Sequence, residues 1–132
     1  MQFRTVTGLV LGAGLSMAVP ALAHHSFAAE FDMRQPIQLQ GTVTKVRWIN
    51  PHTWIHIDVK KPDGTVEPWE IEAGTPNTLF RLGFTRDSLK PGTVINVDGY
   101  LARDGSHRAN GRDMTLPDGR KLFMGGPTPT DK

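Results

Sequence analysis

The chain has 132 residues, with 15 Lys and Arg against 13 Asp and Glu and a formal net charge of +2. That length holds one modest domain, and so near-neutral a balance gives no electrostatic case for a polyanionic partner. It has no cysteine, which excludes a structural disulfide, a lipoprotein anchor and a thiol catalyst.

Residues 1–23 read as a signal peptide. Arg4 supplies the positive start, and Val6 to Val19 is an apolar stretch interrupted only by small residues. Pro20 ends any helix, and Ala21-Leu22-Ala23 places small residues where a signal peptidase reads them. The apolar run is too short and too rich in glycine for a membrane span, which needs ~20 apolar residues. No second apolar segment follows it. The expected product is a periplasmic or secreted chain of 109 residues, without a membrane span, that begins His24-His25-Ser26-Phe27.

Residues 24–36 form a lead-in in which Ser26 can cap one short turn carrying Phe27 and Phe31 on one face. From Ile37 the chain alternates as a half-buried strand through Leu39, Gly41 and Val43. After Lys45 the apolar parity changes to Val46 and Trp48, the signature of a β-bulge. A strand of this length would span roughly 43 Å if straight, so it must coil. Asn50-Pro51-His52-Thr53 is a turn into a second strand, Trp54 to Lys60, whose apolar face is Ile55, Ile57 and Val59. Pro62-Asp63-Gly64 is a hairpin turn. Closing it with Lys61 opposite Thr65 pairs Ile57 with Trp69 and Ile55 with Ile71, so the third strand runs from Val66 to Ala73.

Thr75-Pro76 predicts a helix N-cap with proline at the first position, followed by a short helix that Gly83 ends. Thr93 to Leu101 is a fourth strand, with Val94 or its neighbours Ile95 and Val97 feeding the core. Ala109 to Leu116 and Arg120 to Met124 form a final hairpin around Pro117-Asp118-Gly119. Gly125 to Lys132 is a tail. Three strands, a short helix and two or three more strands is the order of a small OB-like barrel of five or six strands, spanning residues 37–124. A small open sandwich would use the same elements.

The five histidines are His24, His25, His52, His56 and His107. A histidine with a free α-amino group chelates through its amine and its imidazole together. Completed by one more imidazole, it offers three nitrogens in a tetragonal arrangement that suits Cu(II). His25, His52 and His107 are the candidates for that second histidine. Copper is therefore the expected cofactor or cargo, and a metal-free module holding a small molecule or a protein is the competing class. His56 reads as one rung of a charged surface ladder, with Arg47 beside it, Lys45 beside Asp58, and Glu70 across the next strand. Trp54 shares that face, so Trp54 and His56 mark a candidate ligand face, while Trp48 and Trp69 read as core. Asn110-Gly111-Arg112-Asp113 reads as a bend, and Glu67, Glu70 and Glu72 as ordinary strand charges. No nucleophilic triad, phosphate-cradling loop or paired-carboxylate motif is present, so no catalytic residue is assigned and any catalysis is expected to depend on a bound metal. Export and a processed charge of +1 speak against the nucleic-acid binding common among OB folds.

The leader, His24-His25-Ser26-Phe27, Phe31-Asp32, Gly41-Thr42-Val43 and Trp48-Ile49-Asn50-Pro51-His52 together resemble a family of small exported bacterial proteins of unknown function. The likeness runs from His24 to about Gly125 and implies no transferable activity. Separately, an amino-terminal histidine is similar to the copper-binding histidine of lytic polysaccharide monooxygenases and periplasmic copper carriers, a likeness of one residue and its position.

Overall fold

A computed structural model describes residues 27–126. The leader, His24, His25 and the end of the tail lie outside the described residues. Six strands, β1 (Phe31–Arg47), β2 (Trp54–Lys60), β3 (Val66–Glu72), β4 (Val94–Ala102), β5 (Arg108–Thr115) and β6 (Lys121–Phe123), form one sheet in the order β3-β2-β1-β4-β5-β6. A parallel pairing of β3 with β5, from Glu70–Arg108 to Glu72–Asn110, closes the sheet into a barrel. Neighbouring strands otherwise pair antiparallel, and α1 (Pro76–Arg81) lies between β3 and β4. This is the OB-like barrel.

β1 begins at Phe31, so part of the lead-in is strand: Phe31 pairs with Ala102 and Pro36 with Tyr100, with an irregularity between them. Its first part pairs with β4 through Thr42, and from Thr42 onward it pairs with β2. The bulge falls between Val43 and Lys45, where the parity switch puts it. Beyond the bulge the expected partners are displaced by two residues. Val46 faces Ile55, Lys45 faces His56 and Arg47 faces Trp54, instead of Lys45 facing Asp58 and Arg47 facing His56. A shift of two keeps every side chain on its face, so hydrophobic patterning does not distinguish the two registers. The β2–β3 hairpin has the expected register, with Ile57 opposite Trp69 and Ile55 opposite Ile71.

The core contains Val43, Ile55, Ile57, Ile71, Ile95, Val97, Ala109, Met114 and Met124, plugged by Leu79 of α1 and by Phe84 and Leu89. Ile95 and Val97 point inward, leaving Val94 exposed. Trp69 is buried, whereas Trp48 only packs against the margin of the core. Thr75 caps α1 by accepting from the Thr78 amide at 3.1 Å, with Pro76 at the first turn. A 3-10 helix follows at Arg86–Leu89, closed by a reciprocal Thr85–Ser88 capping box. Gly99 is required by close approach: a β-carbon there would collide with the Asn110 carbonyl oxygen.

Candidate functional site

The register assembles two transverse rows on the outward face of the sheet. One runs Lys45–His56–Glu70–Arg108 and the other Arg47–Trp54–Glu72–Asn110, across β1, β2, β3 and β5. Arg108 and Asn110 join these rows because β3 pairs with β5 in parallel.

The second row ends in a buried carboxylate. The β2–β3 ladder continues past Trp54, with Thr53 donating to the Gly74 carbonyl at 3.0 Å and accepting from the Ala73 amide at 2.9 Å. That backbone lock sets His52 beside Glu72, with His52 Nδ1 3.4 Å from Glu72 Oε1. Asn110 Nδ2 donates to the same oxygen at 3.4 Å. The Glu72 side chain is only 10% exposed, while that of His52 is 42% exposed. Burial pushes the Glu72 carboxyl above its ordinary range, and Glu30 adds to the shift; His52, Arg108 and Asn110 oppose it. His52, whose side chain is partly exposed, therefore has one ring nitrogen beside a carboxylate.

Around this pair, the Arg108 guanidinium lies 4.9 Å from the centre of the Trp54 ring. It is held between Glu30, at 3.4 Å, and Glu70, at 3.9 Å. Trp54 does face outward, and its face is covered by an intramolecular cation. His56 pairs with Glu70 at 3.7 Å, as the ladder expects, but its side chain is 19% exposed and its Nε2 is buried without a partner. Burial lowers its pKa, Glu70 opposes this, and Lys45 and Arg47 lower it further. His56 is thus a half-buried rung and not a solvated one.

His107 is elsewhere. Its ring stacks on Trp69 at 4.9 Å, and its Nε2 lies 3.1 Å from Glu67 Oε2, an oxygen shared with Lys61 at 3.4 Å. Glu67 and Glu72 stand five residues apart on β3, roughly 16 Å of extended chain, so His52 and His107 belong to separate places. Among the described residues, no three His, Cys, Asp or Glu side chains group to hold a metal ion.

The sequence reading missed Glu72, Arg108, Asn110 and Glu30. The hairpin register already places Glu72 opposite Trp54, but its burial depends on the β3–β5 closure and on the loop that carries His52.

The fold and this face together define a small closed OB-like barrel with a polar, aromatic-flanked patch beside the loop between its first two strands. The chain belongs to a family of unknown function, DUF6152, whose family model matches residues 13–111. No curated protein matches it. Among solved structures, it is similar to the mitochondrial single-stranded DNA binding protein Rim1 of S. cerevisiae, with 17% identity and a TM-score of 0.46 over 63% of this chain and 94% of that one. No helix of the described residues is long and apolar enough to cross a membrane.

Proposed function

We propose that this protein is an exported, periplasmic binding module that holds Cu(II) between the amine and imidazole of an amino-terminal His24 and the Nε2 of His52. The observation that carries the reading is the engagement of His52 Nδ1 by the buried Glu72 carboxylate. A ligating histidine typically gives its second ring nitrogen to a carboxylate, which fixes the tautomer and turns the other nitrogen outward. His107 has its Nε2 committed to Glu67 and its ring face covered by Trp69, so it is the weaker choice.

The amino-terminal turn supports the same reading. Residues 27–30 are helical and pinned: Phe27 stacks on Phe31 and meets Tyr100 edge-on, and Arg103 Nε donates to the Ala28 carbonyl at 2.7 Å. Glu30 of this turn reaches Arg108 beside Trp54. The chain therefore joins the barrel next to the face, and three residues of chain, spanning at most roughly 11 Å, separate Phe27 from His24 in sequence. All three donors are nitrogen, a set that favours Cu(II) among divalent ions. Binding requires a deprotonated amine, whose free pKa is about 7.7–8, so affinity rises with pH.

The second reading is a metal-free module for a small molecule or a protein, favoured by the Arg108–Trp54 stack, where a flat ligand could replace the guanidinium. Calorimetric Cu(II) titration separates the two. Processed protein should bind one ion, and both His52→Ala and a variant with one residue added before His24 should bind far more weakly. Equal affinity in all three would remove the amino-terminal copper site and leave the second reading.

A further inference from the structure

The loop after β1 carries more than His52. Trp48 stacks on Phe80 of α1 with ring centres 5.1 Å apart and planes 28° apart. The Arg86 guanidinium sits over both rings, 5.6 Å from Trp48 and 5.9 Å from Phe80. Ile49 and Phe80 remain 39% and 38% exposed. Arg47 and Arg81 flank these residues in the chain, both exposed. None of Arg47, Arg81 and Arg86 meets a carboxylate among the described residues, and Asp87, next to Arg86, pairs with Lys90 instead. Apolar side chains thus protrude among cations that have no internal counter-ion.

We propose that this end of the barrel docks on an anionic phospholipid surface, with Ile49 and Phe80 at headgroup depth and the arginines on lipid phosphates. Charge complementarity names the occupant, because uncompensated guanidiniums pair readily with phosphate, and aromatic rings with basic neighbours settle at the membrane–water boundary. Two exposed apolar side chains make a shallow interfacial seat that the surrounding charge reinforces.

The test is co-sedimentation of processed protein with vesicles of phosphatidylcholine alone, or of phosphatidylcholine and phosphatidylglycerol in equal parts. Binding should appear only with the anionic vesicles and weaken with salt. Arg47→Gln and Arg86→Gln should each weaken it about fivefold, and Ile49→Ser should also weaken it. Lys60→Gln removes an exposed cation at the far end of β2 and should leave it unchanged. Quenching by brominated lipid should be lost in Trp48→Phe and kept in Trp54→Phe. Failure to bind anionic vesicles, equal binding to neutral ones, or equal sensitivity to Lys60→Gln would overturn the proposal. Copper affinity should be unaffected by Arg86→Gln and Ile49→Ser, so failure here is distinguishable from failure of the copper site.

Discussion

Glu72 concentrates the tension between stability and function in one side chain. Its pKa in the folded protein lies above the ordinary 4.5, so the folded state binds its proton more tightly than the unfolded chain does. Its contribution to stability is therefore fully present below pH 4.5 and is lost as pH rises through the folded value. Glu72→Gln keeps the shape and an acceptor for Asn110 without the buried charge. It should raise the melting temperature near pH 7, with the advantage shrinking as the pH falls toward 4, as thermal scans across that range would show. The same change should weaken copper binding about tenfold, because it loosens the group that orients His52. Lower stability of the variant at every pH would mean that Glu72 holds the fold together instead of serving the site. At Gly99 the prediction concerns shape alone. A β-carbon driven into the Asn110 carbonyl makes Gly99→Ala destabilising by about 1–3 kcal/mol, measurable by denaturant unfolding.

At the scale of elements, the sequence was most legible where local chemistry decides. Both Pro-Asp-Gly turns, the Thr75 cap and the bulge after Val43 stand where the residues put them, because each depends on a few neighbours. Thr75→Ala should cost about 1 kcal/mol, or about 4–8 °C in the melting temperature of a domain this size. The β1–β2 register beyond the bulge was not legible. Its two alternatives bury the same face, and the choice between them rests on the loop carrying Trp48, which docks on Phe80 instead of entering the core. The same limit hid the site. Glu72 looks like any strand carboxylate until β5 lies against β3, and Asn110 looks like part of a bend until its amide meets Glu72.

For the whole molecule, closure of the barrel brings distant segments to one patch. The amino-terminal turn reaches it through Glu30 and Arg108, and the outgoing chain crosses it where Gly126 passes close to Asn110 Oδ1. A single core residue facing this closure, such as Ile71, should matter greatly, and Ile71→Ala should cost about 2–5 kcal/mol in unfolding free energy. The copper reading also needs the chain to be cut after Ala23. Intact mass of periplasmic material should show a start at His24, while a start at Val19, after the small residues of Ser16-Met17-Ala18, would place both histidines inside the chain. If His24 and His52 share one ion, the electron paramagnetic resonance spectrum of the Cu(II)-loaded, processed protein should show nitrogen hyperfine splitting. The splitting should change in His52→Ala and change again when one residue is added before His24. Identical spectra from all three proteins would rule out the shared ion.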